Sequence, residues 1–169
     1  LEPKLRTDLP DPSSLRGMDK AAARLVRAIS SSEAVAVFGD YDVDGATSSA
    51  LLLHFFRAVG SDARLYVPDR LAEGYGPNGP ALRALRAEGA SVVVTLDCGI
   101  VAFEALREAA ETGLDVIVVD HHLAAPELPS AHAIVNPNRL DDETPHKQLA
   151  AVGVTFLLVV AVNRALRES

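Results

Sequence analysis

The chain has 169 residues, 49% of them apolar and few aromatic, with a formal charge of −7. That length allows one compact domain with a sizeable core, and the composition suits an α/β protein. The negative balance excludes a generic basic nucleic-acid binder, although not a nucleic-acid substrate met by acids that metal neutralises, and the single cysteine, Cys98, excludes an intramolecular disulfide and suits the cytoplasm.

Residues 1–16 are rich in Pro and Asp and read as an extended arm, ahead of a domain over 17–169. The sequence opens without a charged-then-apolar leader, so no signal peptide is expected. A helix is expected over 19–29, where Ala22, Leu25, Val26 and Ile29 recur with helical period. Continuously apolar 34–38 reads as a strand buried on both faces. A helix over 47–59 stops at Gly60 and is followed by a strand over 63–67. Residues 68–80, broken by Gly74, Gly76, Pro77 and Gly79, form a loop, and 81–88 a helix. Strands at 92–96 and 116–119 flank a helix over 101–111, and 133–135 gives a further strand. Residues 139–147 are polar and loop-like. The longest apolar run, 149–162, holds 14 residues broken by Gly153 and Thr155; it is too short to span a membrane and reads as part of a core helix over 150–166. Strands alternating with helices predict an α/β fold, an open parallel sheet of about five strands with helices on both faces. The missing initiator Met and the abrupt end in a helix lead us to expect a piece of a longer protein.

Three of the expected strands end in acids. The first runs into Asp40, Asp42 and Asp44 before Gly45; the third ends at Asp97, and the fourth at Asp120-His121-His122. Strand C-termini form the ligand-binding rim of open parallel sheets. Massed carboxylates repel one another unless a hard cation holds them, and imidazole with carboxylate suits Mn²⁺, Zn²⁺ or Fe²⁺. We therefore expect one metal site built from three strand ends. An EF-hand loop does not fit, because its twelfth position is Leu51 rather than Glu and a strand precedes it. An aspartyl-phosphate enzyme with Asp42 as nucleophile fits poorly, with Ala46 where Thr is expected. Simple capping of the following helix would use one or two acids, not three in five residues. Cys98 reads as a small buried side chain, His54 as packed or snorkelling, and His132 and His146 as surface residues. Arg70 and Tyr75 are candidates for meeting a phosphate or a base, with a solvated charge and a partly buried ring as the plainer alternatives. Lys147 is a surface lysine or a phosphate contact.

In order and spacing, Gly39-Asp-Tyr-Asp-Val-Asp-Gly-Ala-Thr47, Thr95-Leu-Asp-Cys-Gly99 and Asp120-His-His122 resemble the first three motifs of the DHH phosphoesterase superfamily. The closer resemblance is to RecJ-type single-strand-specific 5′→3′ DNA exonucleases, supported by Glu73-Gly-Tyr-Gly76, Val135-Asn-Pro-Asn138 and 148–156 opening the last helix. The resemblance implies a two-metal site holding Mn²⁺ or Mg²⁺. Asp42 and Asp44 would be ligands, Asp97 would be shared between the metals and His121 would complete one coordination sphere. His122 would touch the phosphate or orient a ligand, and these five residues would be the catalytic set. Asp40 and Asp120 would support the ligands, and Arg70, Tyr75 and Asn136 would face substrate. The implied reaction is metal-dependent phosphodiester hydrolysis on single-stranded DNA in recombination and repair. Single-strand-binding protein and a helicase would be partners, with no membrane involved. Two other readings stand beside it: a relative acting on oligoribonucleotides, cyclic dinucleotides or pyrophosphate, and a replication scaffold that has lost its metals, in which the acids should have eroded. Phe38 stands where many relatives carry a metal-binding histidine. The family's fourth motif, a further aspartate, and its second domain would follow residue 169, so the chain alone is expected to bind metal weakly and to show little activity.

Overall fold

Five short runs rich in Val, Ile and Ala form the strands of the computed structural model, which describes residues 2, 4 and 8–168. They are β1 (Val35–Gly39), β2 (Ala63–Tyr66), β3 (Val92–Leu96), β4 (Asp115–Val119) and β5 (Ala133–Val135). All pair in parallel, in the order β2-β1-β3-β4-β5. Between them run α1 (Met18–Ser30), α2 (Val43–Ala58), α3 (Gly79–Ala87) and α4 (Phe103–Glu111), and α5 (Ala151–Glu168) closes the fold. From β1 the chain steps one way to β2 and the other way through β3, β4 and β5. The reversal therefore lies between β1 and β3, where open α/β sheets bind their ligands.

Both faces are covered, which is why the strands are apolar at every position rather than at alternate ones. Val35, Val37, Val92, Val94, Ile117 and Val119 pack against α1, α2 and α5 through Leu25, Leu52, Phe56 and Leu158. The intervening Ala36, Phe38, Val93, Val116 and Val118 pack against α3 and α4 through Leu82, Leu85 and Leu106. Among the described residues no helix is long and apolar enough to cross a membrane.

Several boundaries depart from the sequence reading. Helix α2 starts at Val43, four residues earlier than expected, because Asp42 caps it. Helix α3 starts at Gly79 rather than 81, with Asn78 accepting the Ala81 N–H, and α4 starts at Phe103 rather than 101. Of the arm expected over 1–16, residues 1, 3 and 5–7 lie outside the described residues. Its second half is packed rather than extended: residues 12–14 make a 3₁₀ turn capped by Asp11, and Leu15 is buried in the core. The loop after Arg139 is anchored by buried Asp142, which accepts the N–H groups of Arg16 and Thr144.

At the opposite end of the sheet from the acid motifs, Arg24 of α1 is buried between two carboxylates. Its Nε donates to Asp115 at 2.5 Å and its Nη2 to Glu33 at 2.6 Å. One side chain thus ties α1 to the approaches of β1 and β4. Burial alone would raise the Asp115 pKa, but Arg24, with His132 and Arg27 nearby, holds it below the ordinary carboxylate range. A carboxylate with a depressed folded pKa contributes stability at neutral pH that is lost as pH falls through that value. Arg24→Ala is therefore expected to cost about 3 kcal/mol in urea unfolding at pH 7, since it leaves half-buried acids unpaired. It should also flatten the loss of stability below about pH 4; identical acid limbs in the two proteins would refute the role given to Arg24.

Candidate metal centre

Strands β1, β3, β4 and β5 end level, with Gly39 beside Leu96, Leu96 beside Val119 and Val119 beside Val135. The next residue on each strand is polar: Asp40, Asp97, Asp120 and Asn136. The backbone N–H groups of Asp40, Asp97 and Asp120 donate to the carbonyls of Leu96, Val119 and Val135, so the ladder continues one step beyond the strands. The four side chains form a row across the top of the sheet, and all four residues are at most 5% exposed.

The first motif folds over one end of this row. Asp42 caps α2 by accepting the Gly45 N–H at 3.0 Å. Gly45 has to lack a side chain, because a Cβ there would lie 2.4 Å from the Asp40 carbonyl oxygen. Asp44, in the first turn of α2, turns to α5: its Oδ2 accepts the Ala151 N–H at 2.7 Å and its Oδ1 the Val152 N–H at 2.8 Å. Capping thus accounts for one contact of Asp42 and for both oxygens of Asp44.

The second motif makes a strained turn. Asp97 has φ +63°, an uncommon conformation for a side-chain-bearing residue that Asp tolerates better than most. Gly99 follows at φ +111°, where a Cβ would meet Thr95 Oγ1 at 2.7 Å. In the third motif Asp120 is spent on structure. Its Oδ2 accepts the Ile100 N–H, and its Oδ1 accepts the N–H groups of His121 and His122 and engages His122 Nδ1 at 2.7 Å. From β5, Asn136 Nδ2 donates to the His122 carbonyl at 2.9 Å.

Two sets of three side chains converge tightly enough to hold a cation, each with ligand atoms within 4.8 Å: Asp40, Asp42 and Asp97, and Asp97, His121 and His122. Asp97 belongs to both. Its Oδ1 lies 3.2 Å from His121 Nε2 without the alignment of a hydrogen bond. Burial, then the charges of Asp44 and Asp42, push the Asp97 pKa up to about 7. Burial also raises Asp40, whereas the Gly45 N–H holds Asp42 below its ordinary value. Burial works against protonation of His122, but the Asp120 carboxylate prevails and raises its pKa. Oδ1 of Asp40 and Oδ1 of Asp97 are buried and accept no hydrogen bond from the described residues. Orphaned buried acceptors of this kind call for a cation or a donor. The oxygen-only triad suits Mg²⁺ or Mn²⁺, and the mixed triad suits Mn²⁺ better.

The structure brings Asp42, Asp97, His121 and His122 together. Asp40, read from sequence as a support, stands in a ligand triad. Asp44, read as a ligand, lies outside both triads with its Oδ2 3.7 Å from His121 Nε2. Asn136 is corrected: it is fully buried and holds the His122 loop, so it does not face substrate. Lys147 Nζ donates to the carbonyls of Pro137 and Asp142, which favours a structural role. Tyr75 is half-exposed, and its hydroxyl donates to the Asp97 carbonyl at 3.0 Å. Exposed Arg70 lies over the Tyr41 ring, 4.9 Å from its centroid. Tyr41 was missed in the sequence reading, although its place between Asp40 and Asp42 marks it. Glu73 staples the 68–80 loop by accepting from Tyr66, Asn78 and the Asp69 N–H.

The family model "DHH family, N-terminal domain" matches residues 34–169. The single-stranded-DNA-specific exonuclease RecJ of Bacillus subtilis is 44% identical over 155 residues, covering 92% of this chain and 20% of that protein. The Escherichia coli protein of the same name is 41% identical, covering 91% and 27%. The chain thus spans about a fifth to a quarter of the length of these relatives. A crystal structure of exonuclease RecJ bound to manganese superimposes with a TM-score of 0.82 at 37% identity, over 90% of this chain and 38% of that one. RecJ of Thermus thermophilus in complex with Mn²⁺ gives 0.75 at 32% identity, over 90% and 22%.

A ligand whose pKa lies near 7 must lose its proton before it binds metal, so protons and metal compete. Calorimetric Mn²⁺ titration of this chain should show affinity rising by about tenfold per pH unit below pH 7 and levelling off above it. Asp97→Asn should abolish binding at both triads. A flat pH dependence, or full binding by the variant, would remove Asp97 from the centre.

Proposed function

We propose, for a chain that belongs to the DHH family through residues 34–169, that it carries the metal-binding part of a divalent-metal-dependent phosphoesterase that degrades single-stranded DNA from the 5′ end. The observation that carries this reading is the pair of triads sharing Asp97 at the reversal point of the sheet. The 44% identity to a protein named for that activity supports it. Residues 17–169 act as the phosphoesterase domain, with 1–16 as an arm packed on it. Single-strand-binding protein and a helicase deliver the strand, in the cytoplasm.

In this reading Asp40, Asp42 and Asp97 hold one Mn²⁺ or Mg²⁺, and Asp97 with His121 holds the second, with Asp44 close by. When bound, the two cations supply neutralisation of the phosphate and activation of water. The residues do the positioning. Asp120 fixes the tautomer and orientation of His122, leaving its Nε2 for a phosphate oxygen. Asn136 and the Asp120 carboxylate keep the His121–His122 loop from relaxing away from Asp97. Tyr75 closes over the Asp97 turn, and Arg70 offers a guanidinium to an incoming phosphate. The acids repel phosphate until the cations neutralise them, so chelation stops turnover.

The test is a digestion of 5′-labelled single-stranded DNA by the Bacillus subtilis relative with this chain grafted in place of its matching 155 residues. Mononucleotides should be released with Mn²⁺, EDTA should stop the release, and Asp97→Ala should lower the rate by at least ~1,000-fold, the scale of several kcal/mol of lost stabilisation. Intact metal binding without digestion of the long strand would overturn the exonuclease reading. Cleavage confined to dinucleotides would reassign the substrate to small phosphodiesters.

A further inference from the structure

Behind the oxygen-only triad lies a second feature that the hydrolytic reading leaves unused. A cleft of about 320 Å³ opens between α2 and the outer strand β2, and Asp40 lines it as well as standing in the triad. Its walls are apolar: Ala50 and Leu53 from α2, Leu65 and Val67 from β2 and the residue after it. Leu65 and Val67 are 45% and 47% exposed, more than bulky apolar residues of a sheet ordinarily are. Set into these walls is Ser49, 3% exposed, whose hydroxyl finds no hydrogen-bond partner among the described residues. Exposed Arg57 also lines the cleft, and Arg70 lies over the neighbouring Tyr41.

We propose that this cleft is a nucleoside subsite that takes the base and sugar of the nucleotide whose phosphate is held at the triad. The inference rests on the phosphoesterase reading above and gives that site its substrate class. Apolar walls with one buried, unsatisfied hydroxyl suit a flat ring that carries hydrogen-bonding edges, and a purely aliphatic occupant would leave Ser49 orphaned. The volume is at the lower bound of small-molecule sites, about 300 Å³, which admits one nucleoside and not two. Asp40 is common to the cleft and the triad, so the phosphate and its own nucleoside are one residue apart. Cations at the rim favour a nucleotide over an acidic peptide.

The test uses this chain, ¹⁵N-labelled and saturated with Mg²⁺, and three probes: deoxyadenosine, deoxyadenosine 5′-monophosphate and deoxyribose 5-phosphate. Deoxyadenosine and its monophosphate should move the amide signals of 46–57 and 63–67. Deoxyribose 5-phosphate should move only those near Asp42, Asp97 and His122. The monophosphate should bind at least tenfold more tightly than the sugar phosphate. Ala50→Leu fills the cleft from an exposed helical position that tolerates Leu, and should erase the tenfold preference while sugar phosphate binds as before. Ser49→Ala should weaken the preference without unfolding the protein. A response to phosphate without any preference for the base, or a preference that survives Ala50→Leu, would overturn the nucleoside subsite and leave the phosphoesterase reading standing; the cleft would then suit a protein side chain. No response to any probe would bring down both.

Discussion

Three carboxyl groups and a carboxamide lie under cover side by side, one residue past the ends of four paired strands, and burial on this scale is unfavourable unless each group is answered. Asp120 is answered within the chain, by three backbone N–H groups and the His122 ring. Asn136 is answered by the loop it holds. Asp40 and Asp97 are not: each keeps a buried oxygen without a hydrogen bond, and burial makes each harder to ionise. The row therefore runs from structurally satisfied at the β5 side to chemically demanding at the β1 side. The demand falls where the sheet reverses direction and the helices on its two faces part.

Asp97 concentrates this demand. Its backbone is turned into the left-handed region, its carbonyl is held by the Tyr75 hydroxyl, and its carboxyl faces acids on one side and imidazoles on the other. A residue kept in strained geometry by surroundings that over-determine it is characteristic of a functional site. Sharing one carboxylate between two triads also sets the spacing of the two cations through a single side chain.

The sheet was legible because strands buried on both faces read as unbroken apolar runs, and Val35–Gly39 and Val92–Leu96 have no other reading. The acid motifs were legible because each follows such a run. What local sequence could not give was register. Asp40 reads as a support until the pairing of Gly39 with Leu96 sets it beside Asp97. Asp44 reads as a ligand because nothing within its own motif reveals the two amides of α5 more than a hundred residues away. Asn136 misled for a related reason: a polar residue in a turn reads as exposed, and only the arrival of β5 at the sheet edge buries it. Arg24 gave no signal either, since a lone arginine on an amphipathic helix ordinarily faces water.

The contact from Asp44 to α5 has a temporal side. The motif that supplies the first acids leaves the ribosome long before residues 151 and 152, yet until those two amides arrive Asp44 is an uncapped carboxylate beside Asp42 and Asp97. Closing a contact across 107 residues is among the latest events open to a domain of this size. A nascent chain therefore carries the acid motif in an unlatched form, with α2 started and α5 missing. Completion of the last helix, rather than appearance of the motif, is what gives the centre its final shape, and this order of assembly keeps a half-made metal site from being set while synthesis is still under way.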